Sequence, residues 1–364
     1  MSQNRAAWIV AAGTKPFTIG EAPLYKPGKG EILIRNHAVA VVSDRFNMPF
    51  NPIGFQLTSS DLCKNPVDWK IQESGLYLNT FPLILGRDAA GIVVDIGEGV
   101  TQFHRGQRVI AHLHSPKSGN SAHAAYQLFS LASQTLAAPI PFHISFEQGA
   151  VLPLAISTSA AGLCLPEYLN LPLPSDTPES LGKTLLVWGG ASSVGATVIQ
   201  LATASGLHVV TTASHANYEF VRSLGAADAF DYRSPTVVMD IVTRLRHMDL
   251  CGVYDAISED ISFTRLAAIA ERLQKRIPAV SVHPCYTPTV FFHPKYVTSY
   301  GISYPPNGRI GEAIWGAFVP HALATRQLKA KPDPVVVGHG LENIQNGLDA
   351  QKAGVSAKKI VITL

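Results

Sequence analysis

The fold class predicted from the sequence is α/β: a β-rich, mainly antiparallel domain joined to a doubly wound parallel sheet. Three observations predict it. Residues 1–146 carry short β-like runs punctuated by Gly and Pro, and from about Glu147 helical Ala/Leu stretches alternate strictly with β-branched runs. The last two apolar runs, Pro334–Gly338 and Lys359–Thr363, flank a helical stretch and return the tail to the first domain. With 364 residues the chain exceeds the roughly 150 of an average domain, so two domains are expected. Only 15% of residues are charged, against about 25% in typical soluble proteins, which leaves ample apolar material for a large core and rules out a disordered chain.

The elements follow in order. Ala6–Ala12, closed by Gly13, is too short for a signal-peptide core and reads as a strand. Glu31–Val42, Gly91–Ile96 and Arg108–His112 are further strands, with turn signals at Lys26–Gly30, Gly97–Gly99 and Arg105–Gly106. Thr184–Trp188 is a buried strand, and Val194–Ser205 a helix with Val194, Val198, Leu201 and Ala202 on one face. The strand His208–Ala213, the helix Asn217–Leu224, the strand Ala229–Tyr232, the helix Val237–Arg246 and the strand Gly252–Ala256 continue the alternation. Such alternation predicts a parallel sheet covered on both faces. Leu341–Ala353 is the helix between the two last strands.

Composition also excludes partners. The net charge is +3 with no Lys/Arg run, so neither nucleic acid nor an anionic membrane surface is expected. Gln148–Pro166 and Thr184–Tyr218 lack charges, but Pro and Gly break them and neither reads as a membrane span. The four cysteines, Cys63, Cys164, Cys251 and Cys285, show no C-x-x-C spacing, which argues against a disulfide framework or a cysteine-built zinc lobe. A soluble, cytoplasmic protein is the expectation.

The strongest local feature is the strand–turn–helix segment LLVWGGASSVGATVIQLA. Small residues over Gly189, Gly190, Ser192, Ser193, Val194 and Gly195 let the backbone approach a pyrophosphate at a helix N-terminus. The spacing is Gly189-x-x-Ser192-x-x-Gly195 rather than G-x-G-x-x-G, so the placement among βα units carries the dinucleotide reading; an empty α/β turn is the alternative. The second strand leads into Ala213-Ser214-His215-Ala216-Asn217, with none of the carboxylates that bind a ribose 2′-hydroxyl in NAD sites. NADPH is therefore expected over NADH, with Ser214 and Asn217 near the 2′-phosphate. Simple helix N-caps are the competing role for these two residues.

Gly86-Arg87-Asp88-Ala89-Ala90-Gly91, Gly106-Gln107-Arg108-Val109, Asn65-Pro66-Val67-Asp68-Trp69-Lys70, Leu152-Pro153-Leu154-Ala155 and Lys358–Leu364 together resemble the medium-chain dehydrogenase/reductase superfamily. The chain is similar to its zinc-independent quinone-oxidoreductase and enoyl-reductase branch, including fungal trans-acting enoyl reductases of polyketide assembly. The resemblance implies a GroES-like catalytic domain (1–146 and 326–364) and a Rossmann NADP-binding domain (147–325), with the nicotinamide in their cleft. It also implies Tyr232 beside the 2′-phosphate and Thr158 near the nicotinamide. A small-molecule or acyl-carrier-bound substrate, and a monomer or homodimer, follow from the same likeness.

The places from which zinc-dependent members of that family take metal ligands read Asn65, Arg87 and Leu154, none a usual zinc ligand. A rival metal set is His112, His114 and His123; exposed loop histidines are the blander reading. Without a metal, hydride addition to an activated double bond needs hydrogen-bond donors for the developing enolate. Lys70, Tyr77 and Thr158 are the candidate donors and Asn65 an orienting amide. Their competing roles are solvated surface for Lys70, pocket wall for Tyr77 and a cap on a helix Ser157–Leu163 for Thr158. Water is the remaining proton source. Alcohol or aldehyde dehydrogenation, and an NADPH-binding module without catalysis, are the alternative functions.

Val42–Lys64 interrupts the family pattern between the strand ending near Val41 and Asn65. Its Phe, Pro, Asn and Ser content is that of an irregular loop. A retained intron, opened by a Val42-Ser43 pair that GTGAGT encodes, is the preferred reading; a lid over the cleft is the alternative.

Overall fold

Alternating burial and one bulged central strand organise the N-terminal part of the computed structural model, which describes residues 3–41, 68–74, 80–114, 119–285 and 287–364. The side chains of Lys70 and Ser74 fall outside that description, as does the segment Val42–Lys64. Strand β1 (Asn4–Ile9) pairs antiparallel with β2 (Thr18–Ala22). Strand β3 (Glu31–Ala40) is the hub of a larger sheet, and β4 (Leu83–Ile84) closes the small one against β1. β5 (Asp88–Ile96) and β7 (Phe129–Ser133) both pair antiparallel with β3, while β6 (Arg108–His112) links β5 to β8 (Ala137–Pro139).

The β3–β5 register shifts twice, which bends the sheet round a core containing Ile34, Val39, Ala89, Val93 and Tyr126. Gly91 is required there, because a Cβ would lie 2.1 Å from the carbonyl oxygen of Arg35.

The second unit spans Thr158–Ile302. Its strands β9 (Lys183–Trp188), β10 (His208–Ala213), β11 (Asp228–Asp231), β12 (Asp249–Asp255), β13 (Ala279–Ser281) and β14 (Lys295–Tyr296) form one parallel sheet in the order β11-β10-β9-β12-β13-β14. β9 is buried from Thr184 onward, as a strand covered on both faces must be. Leu186, Trp188 and Val210 pack with Ile241, Leu245, Phe263 and Leu266 from the helices Val237–Leu245 and Asp260–Leu273. On the other face Gly252 lets Leu169 approach, with Leu185 beside it.

The tail belongs to the first unit. β15 (Asp333–His339) and β16 (Lys358–Thr363) pair in parallel across the helix Ile344–Ala353, and β16 adds antiparallel to β3. The two units meet in sequence between Ser157 and Thr158 and between Ile302 and Ser303, whereas the compositional change comes at Glu147. The short strands β13 and β14 have no counterpart in the sequence reading, because two or three residues carry no period. The helix expected at Ser157–Leu163 begins earlier and spans Pro153–Cys164.

Candidate functional site

Strand β9 runs into a turn whose three glycines are each demanded by packing. Gly189 has φ +83°, and a Cβ there would lie 2.2 Å from the Ile257 side chain. A Cβ at Gly190 would meet Thr211 Oγ1, and one at Gly195 would meet Gly189 O, both at 2.2 Å. The Gly189 N–H donates to Thr212 Oγ1 (2.9 Å) and the Gly190 N–H to Thr212 O (2.9 Å), so β10 holds the turn. Ser192 caps the helix Ser193–Ala204, its hydroxyl accepting the Gly195 N–H at 3.0 Å.

The N–H groups of Ser193 and Val194 belong to a first turn that no intrahelical carbonyl reaches. Ser193 Oγ is buried and has no hydrogen-bond partner among the described residues. An orphaned hydroxyl, first-turn N–H groups and a backbone cleared of Cβ atoms fit a bound anion.

The expected 2′-phosphate residues converge at the ends of β10 and β11. Ala213 pairs with Asp231, so Ser214 and Tyr232 follow side by side. The Asn217 amide donates to Ser214 Oγ at 3.1 Å, and neither residue makes a side-chain cap bond. Both residues do stand at helix N-cap positions, as the alternative has it, though without a side-chain cap bond. Two arginines unremarked in the sequence attend Tyr232. Arg233 lies over its ring, 5.2 Å from the centroid, and Arg265 Nη1 donates to its carbonyl oxygen. Adjacency to Tyr232 is the signal that could have found Arg233; nothing local marks Arg265, which arrives from the helix Asp260–Leu273.

Of the expected catalytic residues, Asn65 and Tyr77 lie outside the described residues. Lys70 sits in the helix Asp68–Ser74, which buried Asp68 anchors by accepting the Tyr126 hydroxyl at 2.6 Å. Burial and the Asp68 carboxylate hold the Tyr126 phenol well above its usual range. Thr158 is fully buried in mid-helix, where its carbonyl accepts the Tyr254 hydroxyl at 2.8 Å. Its reading as an N-cap is wrong, because the helix starts at Pro153 and Asp88 Oδ1 takes the Leu154 N–H at 2.6 Å.

The positions that resemble metal-ligand sites are filled by other chemistry. Arg87 is buried, and Leu154 contributes the backbone N–H that Asp88 accepts. The histidines are not exposed loop residues, which corrects that expectation: His112 is fully buried and His114 and His123 nearly so. His112 Nδ1 lies 2.9 Å from Ser157 Oγ, which also accepts the Trp315 indole N–H at 3.1 Å. The His114 ring stacks on His123 at 4.6 Å, and His123 Nε2 meets Glu31 Oε1 at 2.7 Å. Burial, then the charges of Arg87, His114 and Lys359, push the His112 imidazole well below its usual range. Among the described residues no group of three or more His, Cys, Asp or Glu side chains is placed to hold a metal ion, and no helix is long and apolar enough to cross a membrane.

Residues 60–150 match the family described as Alcohol dehydrogenase GroES-like domain. The chain is 37% identical to the Trans-enoyl reductase himH of Aspergillus japonicus, over 99% of this chain and 97% of that protein. It is also 37% identical to the Dehydrogenase orf1 of Aspergillus niger, over the full length of both. An alcohol dehydrogenase superfamily protein from Novosphingobium aromaticivorans shares the fold with a TM-score of 0.74 at 24% identity, over 99% of each chain. A mycobacterial protein whose structure was solved in complex with NADPH aligns with a TM-score of 0.66 at 21% identity, over 99% of this chain and 100% of that one.

Proposed function

We propose that this chain, which belongs to the medium-chain dehydrogenase/reductase superfamily, is an NADPH-dependent reductase of activated double bonds or quinones in secondary metabolism. It is an oxidoreductase by family. The observation that carries the cofactor reading is the Gly189–Gly195 turn: three Cβ-intolerant glycines, a capped helix N-terminus and the orphaned Ser193 hydroxyl. Gly189, Gly190, Ser192, Ser193, Val194 and Gly195 hold the pyrophosphate. Ser214, Asn217 and Tyr232, with the flanking Arg233 and Arg265, hold the 2′-phosphate, where the segment after β10 carries no carboxylate and the guanidinium groups favour a dianion. Bound there, NADPH supplies a hydride to the β-carbon of an enone or enoyl thioester, or to a quinone.

The protein's own share is orientation and charge. Negative charge gathers on the substrate carbonyl oxygen, and the proposed donors for it are Lys70, Tyr77 and Thr158, with Asn65 orienting. No zinc is assigned a role, because a buried arginine and a leucine stand at the positions that resemble metal-ligand sites, and the Leu154 N–H is already engaged by Asp88. The catalytic part is 1–146 with 326–364, the nucleotide-binding part 147–325. The protein acts in the cytoplasm as a monomer or homodimer on small-molecule or acyl-carrier-bound substrates.

The test is loss of NADPH absorbance against a panel of enones, quinones and crotonyl thioesters, with and without chelator. Turnover unaffected by the chelator is expected. NADPH binding without turnover of any acceptor would assign a binding module, and zinc-dependent oxidation of alcohols would assign a dehydrogenase.

A further inference from the structure

The sheet order reverses between β9 and β12, since β10 and β11 lie on one side and β13 and β14 on the other. Open α/β sheets take their ligands beyond the C-terminal strand ends at such a point. The glycine turn forms one side of that crevice, and the turn after β12 forms the other.

A carboxylic acid sealed from solvent builds that second turn. Asp255 Oδ1 accepts the N–H groups of Ile257 (3.0 Å) and Ser258 (2.8 Å), and Oδ2 lies 2.7 Å from Ser262 Oγ. Ser258 is also buried, with φ +55°, and its hydroxyl donates to Asp255 O (3.0 Å) while accepting the Val282 N–H (2.9 Å). A non-glycine residue in that left-handed conformation persists only where its surroundings impose it.

The turn touches the glycine segment three times. The Ile257 side chain occupies the space a Gly189 Cβ would need, the Ala256 N–H donates to Trp188 O (3.0 Å), and Ser192 Oγ donates to Ala256 O (3.4 Å). Burying a carboxyl is costly unless it is hydrogen-bonded, and two of its three bonds go to this turn, the third to Ser262 in the first turn of the helix that follows.

We propose that Asp255 is a positioning residue for the nucleotide, fixing the Ala256–Ser258 turn as the wall against which the glycine turn presents its pyrophosphate- and nicotinamide-side groups. This deepens the cofactor reading above and rests on it. The two fail separately in one experiment: calorimetric affinities of the full chain for NADPH and for 2′,5′-ADP, which carries only the adenosine end. D255A is expected to raise the NADPH Kd about tenfold or more while leaving 2′,5′-ADP within about twofold. D255N keeps both N–H acceptors, and its amide donates to Ser262 Oγ, whose proton turns to Glu259 O at 2.8 Å; both affinities are expected within about threefold of the parent. If D255A does not fold, I257A, which spares the carboxyl bonds but empties the space over Gly189, is expected to split the two ligands in the same direction. Unchanged NADPH affinity, or an equal loss for both ligands, overturns the proposal. A parent protein that binds neither ligand overturns the cofactor reading and this inference together.

Discussion

The Lys359 ammonium lies 2.5 Å from Asp88 Oδ2, and neither side chain exposes more than 2% of its surface. Lys359 also donates to Val151 O at 3.0 Å, and the other Asp88 oxygen takes the Leu154 N–H. One buried ion pair thus ties the C-terminal strand to β5 and to the first turn of the helix Pro153–Cys164. The carboxylate serves as that helix's N-terminal acceptor from a distant point in the chain, with the sign the helix dipole favours.

Breaking that pair leaves a buried carboxylate uncompensated. K359M is expected to lower stability by about 3–5 kcal/mol, read as a reduced midpoint in urea with an unchanged slope. The double variant D88N/K359M, which removes the orphaned charge but keeps an acceptor for Leu154, is expected to recover part of that loss.

Asp255 has the opposite relation to charge, since burial raises its carboxyl to about 6 despite the bonds from Ser262, Ser258 and Ile257 that favour ionisation. An unfolded aspartate releases its proton near 3.9, so across roughly pH 4 to 6 the native state holds more protons than the unfolded one. The group's contribution to stability is therefore greatest below pH 4 and falls as pH rises through that window, by about 3 kcal/mol. Urea midpoints from pH 4 to 7 for the parent and D255N are expected to diverge accordingly, the parent losing ground to the variant as pH rises.

His112 titrates with the reverse sense. Its imidazole is held well below 6.5, so an unfolded chain takes up a proton that the native state refuses. Stability linked to this residue is present above pH 6.5 and is lost as pH falls below it. H112Q, compared with the parent over pH 5 to 7.5, is expected to remove that acid-side loss.

The glycine turn and the strand ends beside it should separate two effects on cofactor affinity. G195A forces a Cβ against the Gly189 carbonyl and is expected to weaken NADPH binding at least about tenfold, together with a loss of 1–3 kcal/mol in stability. R233Q removes a guanidinium beside Tyr232 and is expected to weaken NADPH about tenfold while leaving NADH unchanged. Calorimetry with both nucleotides distinguishes the two variants.

Legibility followed the range of the interaction. Strand β10 matches the expected His208–Ala213 because a buried β-branched run states its own conformation, and Gly189–Gly195 was visible because three small residues between strand and helix admit few other uses. The helix Pro153–Cys164 was misjudged at its start, since its cap is supplied by Asp88 rather than by a residue next to Pro153. Nothing in the sequence around His112 and His114 marks them as buried; the folded chain buries both, His112 against Ser157 and His114 stacked on His123.

By itself, then, the order of residues determined the strand–helix alternation, the glycine turn and the lack of a carboxylate after β10. All of these are local, because hydrophobic period and steric freedom act between neighbours. The folded chain alone decided that Lys359 neutralises Asp88, that Arg265 reaches Tyr232 and that Asp255 braces the turn over Gly189. The first two are polar contacts between groups far apart in the chain, and the third sets a locally bonded turn against a distant glycine; the energy of each exists only after burial has excluded the water that would otherwise satisfy these groups.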